Sequence, residues 1–259
     1  MKYENRVVLF LDILGFKNVI DKTVDKNDID NENNIQLLYD AISQMYSEVT
    51  WQPSNLTSRV ITQFSDSIVL SFLIDDSNEV IQFFDDILHL ITMLIKKGLL
   101  CRGAISYGKL IHNERVIFGP AMIEAYLTES KAALYPRVIL DRSLLDILHK
   151  NQKAKNKDIY WKAPFFINYV EEDLDDKFYL DYILKARYVM AGDEYLEEYL
   201  PILRKNIIDG LRFKSPDIKV KFGWLKNKFN NSIELLNTQS KYYGVNEYLT
   251  QLKKIKKIE

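Results

Sequence analysis

A single cysteine, Cys101, excludes an internal disulfide framework and any cysteine-based zinc site within one chain. Only three histidines occur. His89 and His149 fall within helical patterns and read as packing or surface residues, while His112 stands in a β-ribbon where it could touch a substrate. Serine, cysteine and zinc hydrolase chemistries therefore lack parts. No apolar run reaches the roughly 18 residues of a membrane span. The longest, around Ile87–Ile95, is broken by His89 and Thr92. Neither a G-x-x-x-x-G-K-[ST] nor a G-x-G-x-x-G phosphate loop is present, and no G-G-[DE]-E-F stretch. An excess of one charge is missing too. The 35 basic and 36 acidic side chains leave a net charge of −1, which gives no reason to expect nucleic acid or a membrane as partner. The N-terminus shows no basic–apolar–small export pattern, and with the lone cysteine this predicts a soluble protein of the reducing cytoplasm.

What is present is a chain of 259 residues, 47% of them hydrophobic, enough for one large domain or a domain with an appendage. Arg6–Leu14 reads as a buried strand broken by Gly15-Phe16. A polar stretch (22–34) precedes a helical pattern over Ile35–Val49. Arg59–Phe64 and Ile68–Ile74 are β-rich runs around Ser65-Asp66-Ser67, a hairpin with a polar tip. Glu79–Lys97 follows as a helix with Gly98 at its C-cap, then the strand Cys101–Ile111, interrupted at Gly103 and Gly108. Gly119–Leu134 is a helix opened by Pro120, Arg137–Asp141 a short strand and Arg142–Lys150 a helix. The order βαββαβ predicts an α+β fold with a ferredoxin-like core rather than a doubly wound parallel sheet. Beyond a polar break at 152–158, a strand near Phe165–Val170 and helices near 174–190, 194–212, 216–236 and 244–256 are expected. The expected division is a domain over 1–150 and a mostly helical extension over 151–259, packed on or beside it.

Two short segments carry the chemistry, LFLDILGF (9–16) and QFSDSIVLSF (63–72). In each, one Asp interrupts an apolar β-rich run. Burying an unpaired carboxylate is costly, so such a group finds a cation, a metal or a loop exposed to water. In the ferredoxin-like topology, the end of the first strand lies beside the turn between the second and third. Asp12 and Asp66 can then face one point, where they repel unless they share a proton or a cation. Hard oxygen ligands of this kind suit Mg²⁺ or Mn²⁺. The plainer alternative is that Asp12 caps a turn and Asp66 shapes the hairpin.

The succession LFLDILGF, FSDSI, CRGAISYGKL and FGPAMIEAYLTES resembles the class III nucleotidyl cyclase catalytic domain over about residues 5–142. Ser65 and Ala104 stand where that family has Gly. Within it the chain looks most like the pyrimidine cyclases of the bacterial Pycsar antiphage systems. The resemblance implies a catalytic domain over 1–150 that turns UTP or CTP into cyclic UMP (cUMP) or cyclic CMP (cCMP) plus pyrophosphate, with two divalent ions, Mn²⁺ or Mg²⁺. It makes Asp12, Asp66 and the Ile13 carbonyl the metal ligands. Asp12, Asp66 and Arg102 form the catalytic set, with Arg102 on phosphate. Leu14, Gly15 and Phe16 form the turn whose amides hold the triphosphate. Thr62, Phe64 and Val116 fall in the base-binding region. It further implies a homodimer with sites at the interface, to which the apolar face of the Gly119–Leu134 helix contributes. A separate effector protein would bind the cyclic nucleotide without stable contact.

The departures matter as much. Purine cyclases of the class read the base with a Lys and an Asp or Thr; here those positions are Thr62 and Val116, which argues against an adenylate or guanylate cyclase. The family's catalytic Asn and Arg align with Ile123 and Leu127, which are apolar. Either the activity is lost, leaving a nucleotide-binding or dimerisation module, or other residues take over. Arg137 and Lys109 are the candidates for the charge, and Glu124 or Tyr126 for contact with the nucleotide. A purine cyclase with an unusual base pocket is the remaining enzyme reading.

Overall fold

The computed structural model describes residues 1–50, 58–74, 77–147, 169–243 and 252–259. The described residues build one mixed sheet. Its strands are β1 (Glu4–Ile13), β2 (Val60–Phe64), β3 (Ser67–Leu73), β4 (Cys101–His112), β5 (Ile117–Phe118), β6 (Val138–Leu140), β7 (Val170–Glu172) and β8 (Phe178–Leu180). The order across it is β2-β3-β1-β4-β6-β8-β7, with β5 paired to β4 as a ribbon. The first four strands, read as β4-β1-β3-β2, are antiparallel neighbours throughout, which is the ferredoxin-like core expected from the sequence.

Period-2 alternation decides which side chain goes where. Along β1, Val7, Leu9, Leu11 and Ile13 are buried in the main core with α2 (Glu32–Thr50) and α3 (Ser77–Lys96), through Ala41, Met45, Phe83, Phe84, Ile87 and Leu94. Val8, Phe10 and Asp12 alternate with them and face the other side. There a smaller cluster joins Val8, Val69 and Leu110 to Ala121 and Ala125 of α4 (Pro120–Ala132). Helix α4 lies over β4 and β1, while Phe64 on β2 remains 81% exposed. The site occupies this half-covered face.

Two expectations are corrected. Strand β4 is continuous through Gly103, because that glycine lets two backbones approach. A Cβ there would stand 2.5 Å from the Phe10 carbonyl oxygen. The helix expected over 174–190 is absent. Asp176 takes a left-handed conformation (φ 58°) and turns β7 into β8, which buries Tyr179 and Leu180. A short 3₁₀ turn (Lys185–Tyr188) follows. Beyond residue 150 the chain adds two strands to the sheet as well as helices, and Tyr179, Tyr182, Trp224 and Phe229 belong to the same core cluster as β1.

The helix expected over 194–212 forms as a π-helical turn (Glu194–Tyr199) running into α5 (Leu200–Leu211), and α6 spans Pro216–Tyr243. The short α1 (Phe16–Ile20) follows β1. Of the helix expected over 142–150, residues 142–147 are helical and the rest lie outside the described residues. Most of the strand expected near 165–170, and part of the helix expected over 244–256, also lie outside them, as does the boundary expected at 150–151.

Candidate active site

Ten residues of paired register on β1 place Asp12 opposite Ser67 of β3 and Arg102 of β4. Ser67 Oγ donates to Asp12 Oδ1 at 3.0 Å. Asp66 comes from the β2–β3 turn, where Ser65 adopts a left-handed conformation (φ 55°). The turn is pinned to β1 because the Ile13 N–H donates to the Asp66 carbonyl at 3.2 Å. Asp66 therefore stands beside Asp12. Burial raises the Asp12 carboxyl above the usual carboxylate range, the Asp66 charge pushes the same way, and Ser67 and Arg102 only partly oppose them.

Two facing oxygen donors with unmet repulsion fit a hard divalent cation. Ile13 buries its side chain, so only its main chain can join them. Among the described residues no group of three or more His, Cys, Asp or Glu side chains converges, so a cation here would complete its shell with main chain, water and substrate. The neighbouring Cys101 is no reactive thiol: burial first, and the Asp12 charge second, push its pKa up to about 12.

Arg102 does not point into open solvent. Its Nε lies 2.6 Å from Glu129 Oε1 and 3.8 Å from Asp12 Oδ2. The Glu129 contact is an ion pair without hydrogen-bond geometry. Glu129 is 2% exposed, and burial raises its carboxyl pKa although the Arg102 charge opposes the rise. This third carboxylate has no assigned role in the sequence motifs. The signal was there: Ala121, Ala125 and Glu129, four apart, are the buried face of α4.

The turn after β1 is only partly available to a phosphate. The Leu14 N–H already donates to the Leu100 carbonyl at 2.7 Å, which removes it from the expected amide cradle. Gly15 is left-handed (φ 74°), and Phe16 opens α1, whose first amides have no partner within the helix.

Arg137 is a second correction. It is fully buried and cannot reach a nucleotide. Its guanidinium pairs with Asp173, donates to both oxygens of Asp175, at 2.9 Å and 2.5 Å, and donates to the Ala132 carbonyl at 3.3 Å. Of the other residues named for the substrate, Lys109 pairs with Asn5 and so alternates to the opposite face of β4 from Arg102. Val116, Lys109, Glu124 and Tyr126 are exposed, and Tyr126 meets Phe10 edge to face at 5.7 Å. Ile123 is exposed and Leu127 half-buried.

Thr62 lies on this face of β2, level with Val69 and Phe10. Its Oγ1 is 3.0 Å from His112 Nε2, and His112 Nδ1 is 2.8 Å from Ser71 Oγ. Arg6 Nε donates to that same Ser71 Oγ at 2.9 Å. His112 is thus a buried link between strands and not a direct substrate contact.

No protein-family model and no curated protein matches the chain. Among solved structures it is similar to the adenylyl cyclase CyaB from P. aeruginosa, at 13% identity and a TM-score of 0.44 over 58% of this chain and 82% of that one. It is also similar to a bacterial light-regulated adenylyl cyclase, at 13% identity and a TM-score of 0.43, over 80% of this chain and all of that one (100%). A class III adenylyl cyclase-like ATP-binding protein from Pseudomonas aeruginosa gives 12% identity and a TM-score of 0.40 over 92% and 72% of the two chains. These likenesses are distant, and the chemistry stands on the residues of this chain. No described helix is long and apolar enough to cross a membrane.

Proposed function

We propose that the chain is a nucleotide cyclase that converts UTP or CTP to the 3′,5′-cyclic monophosphate and pyrophosphate. The observation that carries this is the facing pair Asp12 and Asp66, next to a cationic Arg102, on a sheet face that α4 leaves half open. Two divalent ions, Mn²⁺ or Mg²⁺, held by Asp12, Asp66 and the Ile13 carbonyl, would supply Lewis-acid activation of the ribose 3′-hydroxyl and neutralise the pyrophosphate. The chain's own residues bind and orient. The Gly15 and Phe16 amides receive phosphate oxygens at the start of α1. Arg102 exchanges Glu129 for a phosphate oxygen, a partner suited to its planar fork. Thr62 contacts the base and Phe64 covers it. Neither Thr62 nor Val116 offers the Lys and Asp or Thr with which purine cyclases read their base.

One chain supplies half a pocket, and a head-to-tail homodimer completes it. Exposed Phe64, Ile123 and Tyr126 give that face the apolar surface such a contact needs. By the sequence resemblance, the product serves as a messenger in antiphage defence, read by a separate effector in the cytoplasm.

One observation favours a second reading, an inactive nucleotide-binding or dimerisation module. Apolar Ile123 and Leu127 occupy the helix positions of the family's Asn and Arg, and Arg102 is tied to Glu129. Incubation with ATP, GTP, CTP and UTP separately, with Mn²⁺, and product detection by mass spectrometry decides between them. A cyclic pyrimidine product lost in Asp66→Ala is the expected result. A cyclic purine refutes the reading of Thr62 and Val116, and no product from any of the four favours the module.

A further inference from the structure

The contacts around His112 determine where every proton lies. Arg6 is a permanent cation without an acceptor. Its guanidinium is buried and anchored by Glu4 at 2.7 Å and by the Ser58 and Ser71 carbonyls. It donates through Nε to Ser71 Oγ. Ser71 is fully buried, and among the described residues the remaining neighbour of its Oγ is His112 Nδ1. The Ser71 O–H must therefore donate to Nδ1, since a proton on Nδ1 would leave the hydroxyl hydrogen buried without an acceptor. His112 carries a single N–H at neutral pH: burial first, and the Arg6 charge second, hold its pKa down to about 4. That N–H is on Nε2, and it donates to Thr62 Oγ1. Thr62 thus accepts from within and has its own hydroxyl hydrogen left for the open face.

We infer that Arg6, Ser71 and His112 form a positioning relay that holds Thr62 as a hydrogen-bond donor, selecting a pyrimidine with a carbonyl at ring position 4 over one with an amino group there. This rests on the proposed role of Thr62 as the base contact of a pyrimidine cyclase. Uracil meets the Thr62 donor with its O4 acceptor. Cytosine offers an N4 amino donor, which the second Thr62 lone pair can accept only with the hydroxyl hydrogen turned away from the base, so that hydrogen loses its partner there. The expected discrimination is on the order of tenfold in favour of UTP, the scale of one hydrogen bond made or lost. His112 touches no substrate and acts through Thr62.

Two measurements on the full chain test this. The first needs no nucleotide: long-range ¹⁵N–¹H correlation of the histidine rings at neutral pH, with His112→Gln identifying the resonance. The Nε2–H tautomer is expected, and an Nδ1–H tautomer overturns the relay whatever the enzyme does. The second is equilibrium dialysis of UTP and CTP, with Ca²⁺ replacing Mn²⁺ to suppress turnover. Wild type should prefer UTP about tenfold, Thr62→Val and His112→Leu should lose the preference, and His112→Gln should retain it. The Gln amide can accept from Ser71 and donate to Thr62, so a merely structural role for His112 would not give this rescue pattern. Equal binding of UTP and CTP by wild type, or the same preference in Thr62→Val, overturns the base assignment. If a cyclic pyrimidine still forms in that case, the proposed activity survives. A cyclic purine product beside the Nε2–H tautomer overturns the pyrimidine reading and the base assignment with it. Failure to bind any nucleotide sinks both.

Discussion

Replacing Arg137 by Met separates a structural from a substrate-binding arginine. The wild-type guanidinium is fully buried between two carboxylates and against Tyr135, whose ring centroid is 5.2 Å from its Cζ. Removing one partner of a buried ion pair costs roughly 3–5 kcal/mol, because a charge is left uncompensated. Here the lower end applies. Asp173 keeps Lys228 at 3.0 Å and the Trp224 indole N–H at 2.8 Å, Asp175 is half exposed, and Met keeps most of the apolar stem. About 3 kcal/mol corresponds to a fall of roughly 1 M or more in the urea midpoint. Trp224 fluorescence reports it directly, since that indole stacks on Tyr135 at 5.4 Å.

The pH dependence has a definite sign. Hydrogen bonding from Arg137 holds the Asp175 carboxyl below its usual range. Its contribution is present above the unfolded pKa of about 3.9 and is lost as pH falls through the depressed folded value. The gap between wild type and Arg137→Met should therefore narrow below about pH 4. An unchanged midpoint, or a changed nucleotide KM at unchanged stability, would refute this assignment and return Arg137 to the substrate.

Three further outcomes follow from the same geometry. Gly103→Ala should lower stability by about 1–3 kcal/mol in chemical denaturation, since its Cβ would meet the Phe10 carbonyl and shift Arg102 beside it. Asp12→Asn should raise the thermal midpoint in EDTA by about 3 °C at pH 7, by removing a partly buried charge that faces Asp66. The raised Asp12 pKa fixes the sign: the wild-type penalty grows as pH rises through that value and vanishes below about pH 4. Mn²⁺ should stabilise wild type and not Asp12→Asn, and equal Mn²⁺ responses would exclude Asp12 as a ligand. Ser65→Gly should gain about 0.5–1 kcal/mol in the same unfolding assay, because glycine adopts the left-handed turn without the Cβ penalty.

The antiparallel core was legible because its signals are local. Alternation in β1 and β3, the Ser65-Asp66-Ser67 tip and the long apolar periodicity of α3 each specify one element. The order of elements then leaves few topologies. The same patterns brought Asp12, Asp66 and Arg102 together, since register follows from alternation. What escaped depends on contacts far apart in sequence. Arg137 looks like any strand-end cation until Asp173 and Asp175 close on it across 36 and 38 residues of chain. Segment 174–190 carries helix-forming residues, but its fate is set by the Asp176 turn and by a core that takes Tyr179 and Tyr182. The Leu14 amide was lost to Leu100, a pairing that no local motif encodes.

Glu129 and Arg137 together tie the C-terminal half to the site. Arg137 donates to the Ala132 carbonyl at the end of α4, one turn beyond Glu129, and is itself clamped by Asp173 and Asp175 beside β7. The end of α4 therefore cannot move without disturbing a buried ion cluster. Glu129, on that last turn, pairs with Arg102. Asp12 is only 3.8 Å from the same guanidinium, so the arginine stands between two carboxylates. A cation bound at Asp12 and Asp66 would withdraw one of those attractions and leave Glu129 as the remaining competitor for Arg102. If Arg102 holds phosphate as proposed, that phosphate competes with this buried carboxylate, whose pKa burial raises. Asp12 and Glu129 thus both attract Arg102, and the buried Arg137 cluster anchors the end of α4 next to Glu129.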